Sequence, residues 1–156
     1  MTTSVSFFVT GILNGTLNAI RSVVPTCVST GTPKLVTTPI VQPEMGVLIG
    51  ITGQVRGRLF VEAKHTVFAA IAEAMFGMQL EGDMLESFVG ELGNMIAGNM
   101  STLVSQESIN IDITPPTVLV GQTKLSGYET AIVIPVQLES NDELRVLLMV
   151  GEISAH

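Results

Sequence analysis

Three polar side chains near the middle of the chain fall on one face of a predicted helix. They are Ser87, Glu91 and Asn94, within the segment SFVGELGNMIAGNM. At about 100° per residue from Ser87, Glu91 lies at about 40° and Asn94 at about −20°, and the apolar side chains lie on the opposite side. A carboxylate can pair with a cation, and an amide can both donate and accept hydrogen bonds. The spacing therefore predicts a narrow polar stripe that could bind another molecule, although solvated residues on an exposed face would give the same pattern.

Three glycines accompany this stripe: Gly90, Gly93 and Gly98. In a helix interior each glycine costs roughly 0.8–1.0 kcal/mol relative to alanine, so a gain elsewhere should offset the loss. Gly90 and Gly93 lie at the flank of the apolar face, where close packing against a sheet is one explanation. Gly98 lies within the stripe, at about 20°, where the close approach of another macromolecule fits better.

The string ELGNMIAGN, which begins at Glu91, resembles the active-site helix of the CheC/CheX/FliY family of chemotaxis phosphatases. The signature of that family is Asp or Ser, three residues, Glu, two residues, Asn, and a proline further downstream. Ser87, Glu91 and Asn94 fill the first three places. Pro115 or Pro116 stands about where the proline belongs. The extended match favours the CheX type, and the absence of any acidic residue from the predicted first helix indicates one active site per chain.

The resemblance implies an enzyme that hydrolyses the aspartyl phosphate of a phosphorylated CheY-like response regulator. In that role Asn94 would orient the attacking water, and Glu91 would pair with a lysine of the regulator. Ser87, Gly90 and Gly98 are expected to contact this partner. The phosphorylated partner is expected to supply the Mg²⁺, so no cofactor of the chain's own is implied. Two alternatives stay open: a non-catalytic dimeric adaptor that binds a response regulator, and an unrelated α+β domain.

The resemblance also implies a homodimer, because CheX-type proteins associate through sheet edges. Residues 34–41 and 128–138 are the candidate edges in this sequence. Pairing of an edge with a second copy would also remove an aggregation liability.

Around the central helix, the hydrophobic pattern predicts a single α+β domain over residues 1–156, with helices packed on a mostly antiparallel sheet. Asp83 followed by Glu86 resembles a capping box with Asp83 as the N-cap, which predicts a helix from there to about Ser105. Residues 27–41 suit a loop that leads into an edge strand, and residues 53–57 are typical of a hairpin turn. The other predicted elements are helices over 6–24 and 64–78 and strands over 45–52, 58–63, 110–114, 117–121, 128–138 and 143–150.

Composition restricts the class of protein further. Of the 156 residues, 46% are hydrophobic and only 13% are charged, and the mean hydropathy is +0.52, which excludes a disordered chain. The apolar runs are far shorter than the roughly 20 residues of a membrane span, so no membrane partner is expected. The net charge of −7 and the lack of a basic cluster make nucleic acid a poor partner.

The cysteine and histidine content limits the available chemistry. Cys27 is the one cysteine, which excludes an intrachain disulfide and fits the reducing cytoplasm. No catalytic constellation surrounds it in the sequence, so a buried or neutral thiol is expected. His65 and His156 are the two histidines, and no acidic cluster has metal-ligand spacing, so no protein-held zinc or di-iron site is expected.

Overall fold

Three helices and eight strands make up the described part of the chain, residues 2–37, 44–121 and 130–153 of a computed structural model. The helices are α1 (Thr2–Val23), α2 (His65–Phe76) and α3 (Gly82–Ser105). A short 3-10 helix, Glu139–Asn141, joins the last two strands. The strands are β1 (Cys27–Thr30), β2 (Lys34–Thr37), β3 (Met45–Gly53), β4 (Val55–Ala63), β5 (Ile111–Ile113), β6 (Thr117–Val120), β7 (Thr130–Leu138) and β8 (Glu143–Ile153).

The eight described strands form one antiparallel sheet. The main path runs in the order β1-β7-β8-β4-β3-β5. The strand β2 pairs with β7 on the same side as β1, and β6 pairs with β3 on the same side as β5. Each of the strand pairs in the described residues is antiparallel. The prediction of an α+β fold with helices on a mostly antiparallel sheet is therefore confirmed.

The helices cover one face of this sheet. Alternate side chains of β3, such as Val47, Ile49 and Ile51, are buried in the main core together with the apolar side of α3. Successive residues of a strand point to opposite faces, so the side chains in between belong to the other face. There, Phe60 and three further buried residues of β7 and β8 form a second, smaller apolar cluster. The low charge of the sequence thus serves a sheet that is apolar on both faces.

The start of α3 differs from the prediction. The helix begins at Gly82, and Glu81 is its N-cap in an extended conformation without a side-chain capping bond. Asp83 lies inside the first turn, so the predicted capping box with Asp83 as the N-cap is wrong. A carboxylate in the first turn still interacts favourably with the positive end of the helix dipole. The predicted end of this helix near Ser105 is confirmed.

The predicted sheet edges are half right. The strand β7 is interior, because β8 pairs with one side of it and β1 and β2 pair with the other. The prediction of an edge at 128–138 is therefore wrong over the described residues 130–138, and residues 128–129 lie outside them. Residues 27–37, predicted as a loop before a strand, instead supply the two strands that cover β7. The predicted edge at 34–41 is confirmed for β2, whereas residues 38–41 lie outside the described part.

The β3–β4 hairpin is tighter than predicted. Residues 53–57 were expected to form the turn, but β3 runs to Gly53 and β4 begins at Val55. The backbone of Gly53 has a φ of +100°, which favours glycine. Val55 can extend β4 because β8 is long enough to pair with it at Ile153. None of the helices in the described residues is long and apolar enough to cross a membrane.

Candidate functional site

The polar stripe of α3 faces outward from the sheet. Ser87 and Glu91 are exposed, and Asn94 is half-buried. The opposite side of the helix is buried because it carries large apolar side chains at helical spacing, among them Phe88, Leu92 and the residues that continue the row: Leu85, Val89, Ile96, Met100 and Val104. Burial of that side fixes the rotation of α3 about its axis, and this rotation sets where the three polar side chains point.

Gly93 brings α3 close to the sheet. A methyl group at this position would lie 2.5 Å and 2.7 Å from the two Cγ atoms of Val47 and 3.1 Å from Cδ1 of Ile49. These separations are too short for carbon atoms, so only glycine fits between the helix and β3. The cost of Gly93 to the helix is therefore offset by packing, one of the two explanations that the sequence left open.

Gly90 faces β6 and the proline that precedes this strand. It is buried, and a methyl group there would lie 3.2 Å from Cγ2 of Val118 and 4.0 Å from Cγ of Pro116. The burial of Gly90 argues against the partner contact predicted for it and assigns it to packing. Of the two candidate prolines, Pro116 is therefore the one beside α3, while Pro115 is exposed.

Thr114 anchors the segment that carries these prolines. Its Oγ1 accepts a hydrogen bond from the backbone N–H of Gly50 at 2.8 Å, and its own N–H donates to the carbonyl oxygen of Gly50 at 2.9 Å. Both bonds tie the β5–β6 connection to β3. Thr114 was not among the residues predicted from the sequence. The residue before a proline is biased toward extended backbone, which is a weak signal for its place at the end of a strand.

Gly98 has open space where a side chain would be. It is half-buried, and beyond the adjoining backbone of α3 a methyl group at this position would have no atom of the described residues within 4 Å. Its φ is not in the left-handed region, so the backbone conformation does not require glycine either. Packing among the described residues therefore gives no reason for glycine at this position, in contrast to Gly90 and Gly93.

The other candidate chemistries find little support in the described residues. These residues contain no group of three or more His, Cys, Asp or Glu side chains that could hold a metal ion. Cys27 is half-buried, and burial raises the pKa of its thiol more than the nearby Arg21 lowers it. The thiol is therefore neutral at pH 7, as expected, and is not an activated nucleophile.

The stripe can position a polar group without a protein-held metal. Glu91 and Asn94 are about 4.5 Å apart along the axis of a rigid helix, and both side chains can reach the same bound group. The amide supplies a donor and an acceptor without charge, and the carboxylate supplies a site for a cation. The arrangement suits binding of a surface that contains an anion with a cation beside it.

The comparisons with known proteins identify similar sequences and folds. The family model described as "Chemotaxis phosphatase CheX" matches residues 45–137. The chain is 28% identical to the CheY-P phosphatase CheX of Thermotoga maritima over 146 residues, which cover 91% of this chain and 94% of that protein.

Two solved structures share the fold. A chemotactic CheC-like protein from Shewanella oneidensis has a TM-score of 0.77 and 21% identity, with 97% of this chain and 100% of that chain covered. A CheX–CheY–BeF3–Mg²⁺ complex from Borrelia burgdorferi contains a chain with a TM-score of 0.75 and 22% identity, with 92% of this chain and 97% of that chain covered. At these identities the structures establish the likeness of the fold.

Proposed function

Because the chain belongs to the CheX family of chemotaxis phosphatases, we propose that it hydrolyses the aspartyl phosphate of a CheY-like response regulator. The observation that supports this best is the outward stripe of Ser87, Glu91 and Asn94 on α3, which lies within the matched residues 45–137. The similarity to the CheY-P phosphatase of Thermotoga maritima extends over most of both chains. The proposal treats residues 1–156 as one domain of this family.

In this mechanism Asn94 positions a water molecule. The carbonyl oxygen of Asn94 accepts a hydrogen bond from the water, and its NH2 group donates to a phosphoryl oxygen. The water attacks phosphorus in line with the bond to the aspartyl oxygen, and that bond breaks. The products are inorganic phosphate, which keeps the protons of the water, and the free aspartate carboxylate of the regulator. An acyl phosphate is already reactive, so positioning is the main contribution that the enzyme has to make.

Glu91 holds the partner in register. Its carboxylate pairs with a cation that the regulator carries beside its phosphoryl group, and we assign this cation to a lysine. Direct action of Glu91 as a general base is less favourable, because a carboxylate close to phosphate is repelled. Ser87 adds a contact at the periphery, and the open space at Gly98 admits the regulator's backbone or side chains close to the helix.

The metal ion and the location complete the proposal. The Mg²⁺ of the reaction is bound by the phosphorylated regulator rather than by this chain, and the Borrelia burgdorferi complex, which contains CheY, BeF3 and Mg²⁺ together, supports that assignment. The protein acts in the cytoplasm, where its single cysteine needs no disulfide partner.

The proposal includes a homodimer formed through the edge at β2. All four residues of β2 are exposed, and Leu35 is 71% and Val36 38% exposed, which is costly for an edge strand in water. In the described residues, β7 pairs with one side of β2 and nothing pairs with the other. Pairing through this edge leaves the polar stripe of α3 free for the regulator.

The decisive experiment measures the decay of a phosphorylated CheY-type regulator with and without the protein. We expect acceleration by the wild type and a loss of at least about 100-fold in kcat for Asn94→Ala, with binding retained, because a misplaced water costs about this much. For Glu91→Ala we expect kcat/KM to fall about 30-fold, the cost of removing one partner of a charge pair at an interface.

Matched substitutions separate these roles from general damage to the helix. Asn99→Ala removes an amide five residues after Asn94, and Glu107→Gln neutralises an exposed carboxylate beyond the end of α3. Both should leave kcat/KM within about twofold, because Asn99 lies at about 120° around α3, away from the stripe, and Glu107 lies beyond the helix. Full activity of folded Asn94→Ala would refute the mechanism, and regulator decay that is unchanged at saturating wild-type protein would favour the adaptor.

A further inference from the structure

Three large apolar side chains are exposed beside the polar stripe. Phe76 at the end of α2 is 58% exposed, and Met84 and Met95 on α3 are 61% and 38% exposed. Met84 lies at about 60° and Met95 at about 80° around α3, next to Glu91 at about 40°. The ring of Phe76 packs edge-on against Phe88, with 5.8 Å between centroids, and Phe88 lies at about 100°, at the border of the buried side next to Met95. We name Phe76, Met84 and Met95 the apolar strip.

The strip is close enough to the stripe to share a partner with it. Met95 follows Asn94 directly, and Met84 precedes Glu91 by about 10 Å along the helix axis. A stable interface buries about 800 Å² on each partner, a patch of roughly 16 Å in radius. A protein whose phosphoryl group reaches Asn94 therefore also covers the apolar strip.

Charge indicates which partner fits this surface. Residues 65–121, which include α2 and α3, contain no Lys or Arg. On the exposed side of α3, Glu91 lies at about 40°, next to both methionines, and Asp83 lies at about −40°. A second copy of the same surface would bring like charges together, which is unfavourable. A partner with basic side chains around an apolar contact is complementary to it.

We propose that the apolar strip is the docking surface for the phosphorylated response regulator, which contacts it with an apolar patch flanked by Lys or Arg. This inference rests on the proposed function, since it takes the regulator as the partner. Methionine side chains are unbranched and adaptable, so they can pack against an apolar surface without a rigid fit. The strip supplies affinity, whereas Asn94 supplies the chemistry.

The test replaces both methionines in one variant, Met84→Gln with Met95→Gln. Gln has nearly the helix propensity of Met, and both positions are exposed or partly exposed, so the fold should persist. The control is Phe7→Gln, which removes a side chain that is 50% exposed on α1. Two quantities are measured with a CheY-type regulator: the Kd of its BeF3 form, from fluorescence anisotropy, and the KM and kcat for its phosphorylated form.

We expect the double variant to raise Kd and KM at least 10-fold and to leave kcat within twofold, while Phe7→Gln changes neither. Unchanged Kd and KM in the double variant, with an active wild type, would overturn the docking inference and leave the proposed function intact. A wild type that binds the regulator but does not accelerate its decay would refute the proposed hydrolysis, and the loss of binding in the double variant would then still support the strip. A wild type that does not bind the regulator would overturn both.

Discussion

Replacement of Gly98 by alanine should stabilise the protein and damage its activity. Glycine in a helix interior costs about 0.8–1.0 kcal/mol relative to alanine. Beyond the adjoining helix backbone, a methyl group at Gly98 meets no atom of the described part of the chain within 4 Å, so no packing cost offsets that gain. The free energy of unfolding should therefore rise by about 0.8–1.0 kcal/mol, which corresponds to about 2–4 °C in Tm for a chain of this size.

The loss of activity follows from the position of Gly98 within the stripe. If the regulator approaches the helix closely there, the added methyl group holds it away from Asn94. Overpacking in a close contact costs about 1–3 kcal/mol, so kcat/KM for regulator dephosphorylation should fall by about 5- to 160-fold. Urea denaturation of the free protein and regulator decay under multiple turnover measure the two effects separately.

A variant that is more stable and fully active would refute this reasoning. Gly98 would then be a glycine without a role in partner contact, and the open space beside it would carry no function. Gly90→Ala is the matched comparison, because its methyl group would lie 3.2 Å from Val118 inside the protein rather than at the partner surface. Its effect should appear in stability first.

Three further predictions concern the fold and the assembly. The methyl group of Gly93→Ala would lie 2.5 Å from Val47, and this clash should lower the free energy of unfolding by about 1–3 kcal/mol, from which the smaller gain in helix propensity is subtracted. Urea denaturation measures the net change. Burial raises the pKa of Glu62 above its ordinary value of 4.5 despite Arg145, whose Nη1 is 2.6 Å from Glu62 Oε1. The folded state then binds the proton more tightly than the unfolded state. The free energy of unfolding of the wild type, relative to that of Glu62→Gln, should therefore fall as pH rises from below 4.5 through the raised pKa. Urea denaturation at a series of pH values measures this difference, and a rise with pH would contradict the prediction. Leu35→Glu should convert the proposed dimer to a monomer in sedimentation experiments, and a wild type that is monomeric at all concentrations would refute the proposed edge.

The sequence predicted the features that depend on local periodicity. The outward direction of Ser87, Glu91 and Asn94 follows from the apolar residues on the other side of α3, and the structure has this arrangement. The antiparallel sheet follows from short β-type runs separated by turns, and most of these runs are strands within a few residues of the prediction. Both features depend on residues close together in the chain, which a single sequence contains.

The features that the sequence did not predict depend on residues distant in the chain. Whether β7 is an edge depends on β1 and β2, about 100 residues earlier in the chain, which pair with it. The burial of Gly90 depends on Val118 and Pro116. The N-cap of α3 is Glu81 rather than Asp83. A capping box competes with other ways to begin a helix, and the sequence alone does not decide between them.

The position of Asn94 depends on contacts that several elements make with α3. Gly93 seats the helix on β3, Gly90 seats it against Val118 of β6, and Phe88 meets the end of α2. Catalysis by positioning is sensitive to displacements of about 1 Å, which can cost about 100-fold in rate. A substitution at one of these seats can therefore lower kcat through a small shift of α3 while the protein stays folded. On the proposed function, the three glycines of this helix share one role, since Gly90 and Gly93 set the helix against the sheet and Gly98 leaves room for the regulator.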